Sequence, residues 1–164
     1  MSHLGENRKP AGPVTAVDPL REFRGPDLHD LCDAADAAIE DGGGFGWLSV
    51  PPRDVMQSYW RGVLLVPERE LFVGRLDGTI CGSAQLLRPS RNNEAGAHVG
   101  SLTTFFLAPW ARGHGLAAKL VLAVEARARE LSTHLLADLG CPTPCGVVHE
   151  SSAACHGIEG LDSL

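Results

Sequence analysis

Apolar positions change their period along this chain, and the changes mark out its elements. Leu28, Leu31, Cys32, Ala35 and Ile39 recur every three or four residues, the spacing that gathers side chains on one face of a helix. Gly25-Pro26-Asp27 precedes them and Gly42-Gly43-Gly44 follows. Proline at the first helical position and an acid in the first turn suit a helix start, and successive glycines stop one. A second helix is expected to begin at Pro51-Pro52 and run through Met56, Tyr59, Trp60 and Val63. From Glu68 the period shortens. Leu71-Phe72-Val73, an Asp77-Gly78 pair and the run 80–87 predict a β-hairpin closed by a two-residue turn. Residues 88–96 are polar loop, and residues 98–107 form a third extended run that Pro109 ends. Within it, Leu102-Thr103-Thr104-Phe105-Phe106-Leu107 suits a buried strand. Strict alternation places Thr104 and Phe106 on one face and Thr103, Phe105 and Leu107 on the other. Residues 113–131 carry the longest helical stripe, from Leu116 through Leu120 and Val124 to Leu131. Short strands are expected at 14–18 and 133–136. The pattern as a whole is α/β with a mixed sheet.

Length and composition narrow the class. The chain has 164 residues, about one domain at ~100–200 residues per domain. Residues 1–13 are polar and rich in glycine and proline, a flexible N-terminal arm, and residues 14–164 make a single domain. No apolar run approaches the ~18 residues of a membrane-spanning helix, and no apolar core follows the first charges as in a secretory leader. A cytoplasmic protein with no membrane partner is the expectation. Net charge is −6, so the basic footprint of a nucleic-acid binder is missing. Five cysteines, at 32, 81, 141, 145 and 155, form an odd set with no export signal, which argues against a disulfide framework.

Chemistry concentrates in Phe105-Phe106-Leu107-Ala108-Pro109-Trp110-Ala111-Arg112-Gly113-His114-Gly115-Leu116-Ala117. An apolar strand leads through a tight turn into an amphipathic helix. The first turn of a helix has N–H groups without partners and the positive end of the macrodipole. Glycines there let an anion approach the backbone, and Arg112 adds a fixed charge with a donor fork. This predicts an anion site suited to a pyrophosphate; the plainer reading makes Gly113 and Gly115 a tight strand–helix connection only. The segment is not a P-loop, because GxxxxGK[ST] spacing is absent. Nor is it a dinucleotide fingerprint, since position 118 is alanine.

Arg112-Gly113-His114-Gly115-Leu116-Ala117 resembles the R/Q-x-x-G-x-G/A signature of the GNAT superfamily of N-acetyltransferases. The resemblance extends over roughly residues 14–136, taking in the hairpin ELFVGRLDGTICGSAQL and the aromatic segments Phe45-Gly46-Trp47 and Ser58-Tyr59-Trp60. It implies a mostly antiparallel central sheet flanked by helices, and transfer of an acetyl group from acetyl-CoA to a primary amine without a covalent enzyme intermediate. The pyrophosphate of acetyl-CoA would lie on the backbone of Arg112, Gly113, His114, Gly115, Leu116 and Ala117. Its pantetheine arm would pair beside Phe106 and Leu107, with backbone donors near Leu107 for the developing oxyanion. Glu94 would serve as a general base through water, against its plainer reading as a solvated loop acid. Trp47, Tyr59 and Trp60 line an acceptor pocket or simply belong to the core, and His98 could face the same cleft.

The chain departs from the family pattern toward its C-terminus, and the fold is expected to be incomplete there. The family commonly places a helix reading near Leu-Tyr-Glu-x-x-Gly-Phe after the signature, with the tyrosine protonating the leaving thiolate. Here the sequence after Asp138 is Leu-Gly-Cys-Pro-Thr-Pro-Cys-Gly-Val-Val-His-Glu-Ser-Ser, and Tyr59 is the only tyrosine in the sequence. Residues 137–164 are therefore atypical. Either the tail has diverged, with His149 as substitute proton donor, or the reading frame shifts near 137. A catalytically impaired acetyl-CoA-binding or interaction domain is the alternative to an active enzyme. Cys141, Cys145 and His149, with Cys155-His156 beyond, approximate zinc-ligand spacing, but no second paired motif supports them and no metal is expected. A sheet edge left open by a missing tail would pair between chains, which favours a homodimer.

Overall fold

The computed structural model describes residues 12–43, 45–89, 92, 96–131 and 133–137. The N-terminal arm up to residue 11, Glu94, and the whole tail with His149 and the cysteine cluster lie outside the described residues.

Five strands and three helices follow in the order β1 (Thr15–Leu20), α1 (Asp27–Glu40), α2 (Arg53–Leu65), β2 (Arg69–Leu76), β3 (Thr79–Leu87), β4 (Val99–Leu107), α3 (Leu116–Glu130) and β5 (His134–Ala137). The strands form one sheet in sequence order, β1-β2-β3-β4-β5. The first three ladders are antiparallel. β4 and β5 run parallel, as a strand pair joined by a crossover helix must. This is the mixed, mostly antiparallel α/β sheet that the sequence predicts. The β2–β3 hairpin turns on Asp77 (φ 49°) and Gly78 (φ 88°); positive φ at both turn positions matches the right-handed twist of the flanking strands.

The two faces of the sheet are covered by different helices. Leu31, Ala35 and Ile39 of α1 and Met56, Trp60 and Val63 of α2 pack with Leu71, Val73, Ile80 and Phe106. On the other face, Leu120, Val124 and Ala128 of α3 pack with Phe72, Ala84, Leu86 and Leu102. Leu71 and Val73 against Phe72 is the period-2 alternation that a strand buried on both faces requires.

Two expectations are corrected here. The last helix begins at Leu116 rather than 113, because Gly113 (φ 80°) and Gly115 (φ 74°) adopt left-handed conformations that a helix cannot contain. Alternation along β4 also breaks. Ser83 faces Phe106 but Gln85 faces Thr103, so β4 carries one extra residue between them. The bulge is marked by Thr104 at φ 49°. Leu102 packs toward α3, so Thr103 turns to the α2 face with Gln85 and Phe106, not with Phe105 and Leu107.

No helix among the described residues is long and apolar enough to cross a membrane. None of their His, Cys, Asp or Glu side chains group as a metal site.

Candidate functional site

The signature segment leaves β4 through a short 3-10 turn, Pro109–Ala111. Ala108 N–H donates to the Cys81 carbonyl at 2.8 Å and Ala111 N–H to the Ala108 carbonyl at 2.9 Å, so the turn is tied to β3. Ala111 and Leu116 are fully buried, together with Cys81. Between these two anchors, Gly113 and Gly115 are exposed. A Cβ built on either would meet nothing within 4 Å, so positive φ and not local crowding selects glycine at both. Lys119 supplies the first helical N–H to find an acceptor, at Gly115 O, 3.2 Å. The N–H groups of Leu116, Ala117 and Ala118 precede it and have no acceptor within the helix. The result is a pinned loop offering backbone donors at the positive end of a 15-residue helix, an arrangement whose electrostatics suit an anion.

Both polar side chains of the loop are held from below. His114 Nδ1–H donates to the Ala111 carbonyl oxygen at 3.1 Å. Arg112 is not free over the glycines: its Nη1 lies 2.7 Å from Asp41 Oδ2, at the C-terminal cap of α1. The sequence reading of Arg112 as a bare charge missed this partner, 71 positions away in the chain. Phe106 is buried and Leu107 half-buried at the strand end. The β4–β5 ladder ends at Leu102 and Ala137, and no described strand pairs with that edge of β4 from Thr103 to Leu107.

On the α2 face, the bulge meets an aromatic cluster. Phe45 stacks on Phe106 with ring centroids 4.6 Å apart, and Trp60 lies 6.1 Å from the same ring. Trp60 is fully buried, so it belongs to the core; Trp47 and Tyr59 are half-buried, Trp47 edge-on to Tyr59 at 6.0 Å. The Tyr59 hydroxyl is 3.3 Å from Thr104 Oγ1 and also 3.3 Å from Gln85 Nε2. Ser83 Oγ donates to the Thr104 carbonyl at 3.1 Å and so pins the bulge from β3. Gly82 makes the close approach possible: a Cβ there would sit 2.5 Å from Phe106 O. Ser83, Gln85 and Gly82 went unnoticed in the sequence, where nothing marks which strand residues face a bulge. His98 does not enter this cleft. It is exposed, and its carbonyl accepts from His134 N–H at 2.6 Å.

Residues 31–144 match the acetyltransferase (GNAT) family. An uncharacterized N-acetyltransferase from the hisH–hisA intergenic region of Azospirillum brasilense is 63% identical over 113 residues, which cover 69% of this chain and 67% of that protein. Among solved structures, the tandem GNAT protein of the clavulanic acid biosynthesis pathway superposes with a TM-score of 0.60 at 21% identity. The match covers 76% of this chain but only 36% of that one. A predicted acetyltransferase from Clostridium acetobutylicum, solved with acetyl-CoA, superposes with a TM-score of 0.52 at 15% identity over 79% of this chain and 85% of its own. The family match spans residues 31–144, and with the 63% identical relative it shows that this chain belongs to the GNAT family of acetyltransferases.

Proposed function

We propose that this protein transfers an acetyl group from acetyl-CoA to a primary amine. The observation that carries the reading is the loop from Arg112 to Ala117: two exposed glycines at positive φ between two buried anchors, with unpartnered N–H groups at a helix start. A pyrophosphate fits such a cradle, since neither glycine position is crowded. Gly113, His114, Gly115, Leu116 and Ala117 would hold it through backbone N–H groups. Arg112, fixed by Asp41, would add charge from the rim.

In the reaction, the amine nitrogen bonds to the acetyl carbon as the C–S bond breaks; the amine loses one proton and the departing thiolate gains one. The edge of β4 from Thr103 to Leu107, with which no described strand pairs, would receive the pantetheine arm beside Phe106 and Leu107. Backbone N–H groups there would stabilise the charge that develops on the carbonyl oxygen. Glu94 as base and His149 as acid are the proton carriers that the sequence offers.

A second reading, an acetyl-CoA-binding domain with impaired turnover, is favoured by one feature: Tyr59 is the only tyrosine, and it lies upstream of the signature. The first reading is tested by thermal melting with and without ~1 mM acetyl-CoA, in the wild type and Gly115→Trp. Ligand at about a hundred times its Kd stabilises by roughly 2.7 kcal/mol, several degrees in Tm. A ligand-induced rise in the wild type that Gly115→Trp loses supports the cradle; a cooperative melt with no rise refutes it.

A further inference from the structure

One ion pair joins the glycine loop to α1, and its acid stands where a helix disfavours one. Asp41 Oδ2 lies 2.7 Å from Arg112 Nη1. Asp41 is the C-terminal cap of α1, where unpaired carbonyls carry the negative end of the macrodipole. Glu40 precedes it, and the last turn of α1 holds no basic residue. Arg112 therefore brings the compensating charge from a distant part of the chain, and among the described residues neither side chain forms a second ion pair. The amides that close α1 belong to the same few residues. Asp41 N–H donates to Ala37 O at 3.2 Å, Gly42 N–H to Ile39 O at 3.0 Å and Gly43 N–H to Ala38 O at 2.8 Å. Phe45, two residues beyond Gly43, stacks on Phe106.

On the loop side, Arg112 is bonded directly to Gly113, so its counter-ion sits one side chain away from the two exposed glycines. An anion over them meets a carboxylate that both repels it and holds the cation beside it. Asp41 engages the guanidinium through Nη1, whereas a phosphate can take two parallel N–H donors from the same fork. A diphosphate also carries more negative charge than one carboxylate. Both differences favour exchange of the partner when such an anion arrives.

We propose that Asp41 is a competitor built into the fold: it holds the Arg112 guanidinium until the diphosphate of acetyl-CoA displaces it, and the displacement leaves the end of α1 without its counter-charge. The proposal rests on the acetyl-CoA reading above. The exchange has two consequences. It keeps cofactor affinity below what the loop and a free Arg112 would give. It also passes the occupancy of the loop to the last turn of α1, ahead of the segment that carries Phe45 over Phe106. Asp41 acts through Arg112 and touches no reacting atom, so it is a positioning residue.

The test measures the Kd of acetyl-CoA by calorimetry for the full chain, Asp41→Asn, Arg112→Gln and the double variant, at low and high salt. Amide hydrogen exchange of residues 41–43 is read by mass spectrometry in parallel. Asparagine is well accepted at a helix C-terminus, so Asp41→Asn keeps the fold. It should tighten binding by about two- to fivefold at low salt, the range of one exposed ion pair. The gain should shrink at ~1 M salt, where the Debye length is ~3 Å, and most of it should vanish in the Arg112→Gln background. Saturating acetyl-CoA should speed exchange at 41–43 in the wild type and leave it unaltered in Asp41→Asn. Weaker or unchanged binding by Asp41→Asn overturns the proposal, since Asp41 then holds Arg112 in place for the anion or does not reach it. An equal gain in both backgrounds overturns it too, because Asp41 then acts as a separate charge and not through Arg112. Slower or unaltered exchange at 41–43 in the saturated wild type overturns the transmission to α1. Each of these leaves the acetyl-CoA reading standing, whereas a wild type that binds no acetyl-CoA overturns that reading and this inference with it.

Discussion

Gly82→Ala is the sharpest test of the packing that places the bulged strand. The added Cβ would lie 2.5 Å from the Phe106 carbonyl oxygen, 2.8 Å from Leu107 Cδ1 and 3.1 Å from Leu107 Cα. Two of these are backbone atoms of β4, so no rotamer change relieves the contact and the strand itself has to move. Gly82 and Leu107 are register partners, and the adjoining Ala108 N–H to Cys81 O bond is 2.8 Å, so the displacement strains that bond too. Overpacking costs about 1–3 kcal/mol and a weakened ladder hydrogen bond about 1 kcal/mol, for a total of about 2–4 kcal/mol. At ~3–4 °C per kcal/mol for a chain of this size, Tm should fall by roughly 6–16 °C. Gly62→Ala is the control. It lies within α2, where an added methyl group would meet nothing within 4 Å, and alanine there should stabilise by up to about 1 kcal/mol. Both are read by thermal and urea unfolding followed by circular dichroism. A Gly82→Ala protein melting within about 2 °C of wild type refutes the argument that β3 and β4 need this glycine to approach.

Two further expectations concern ionisation. The Arg127 hydrogen bond, outweighing burial, holds the Glu70 carboxyl below its ordinary 4.5. Burial pulls Asp27 upward, but the hydrogen bonds from Arg75 and the Arg24 N–H, with the charges of both arginines, outweigh it and hold that carboxyl below 3.8. A carboxyl depressed in the folded state contributes stability that is present above its unfolded pKa and is lost as pH falls through the folded one. Tm should therefore begin to fall below about pH 4.5, and Arg127→Ala should flatten part of that acid limb; an unchanged limb in the variant counts against the Glu70 contribution. Burial pushes the Cys32 and Cys81 thiols up to about 11. Iodoacetamide near pH 8 should leave both unmodified in the folded protein and alkylate both in urea, as read by peptide mass spectrometry; rapid native labelling of either would contradict their burial.

The fold was legible where the signal was local. Asp77-Gly78 between two apolar runs specifies its hairpin because only a few residue types accept positive φ at both turn positions. The glycines after Ile39 likewise close α1, with Gly42 N–H bonded to Ile39 O at 3.0 Å. Hydrophobic period located α3, but its start was misread by three residues. The apolar stripe itself starts at Leu116, and the left-handed backbone at Gly113 and Gly115 keeps the three residues before it out of the helix. The bulge at Thr104 was illegible for the opposite reason. A threonine at positive φ is disfavoured locally, at a cost of order 1–3 kcal/mol, and only the surrounding structure imposes it, here through Ser83 and Tyr59. Nothing in a run of β-favouring residues announces that one of them is extra.

The two halves of the candidate site differ in the same way. The anion cradle is contiguous: strand end, turn, glycines and helix start follow one another from Leu107 to Ala117, so composition and order alone imply its chemistry. The opposite face is assembled from β2, α2, β3 and β4, with contacts spanning 16 residues between Arg69 and Gln85, 26 between Tyr59 and Gln85, and 45 between Tyr59 and Thr104. Each of those residues has an ordinary reading by itself: a strand arginine, a core amide, an aromatic on a buried helix stripe. Only the direction of the hydrogen bonds gives them a common role, because Arg69 can only donate and each acceptor it or its successors occupy leaves the next group a donor. The Asp41–Arg112 pair spans the remaining gap. It ties the C-terminal cap of α1, just before the segment that carries Phe45 over Phe106, to the rim of the cradle. The glycine loop and the aromatic cluster over Phe106 are therefore joined through one ion pair, which an anion bound at the loop as proposed would have to compete with.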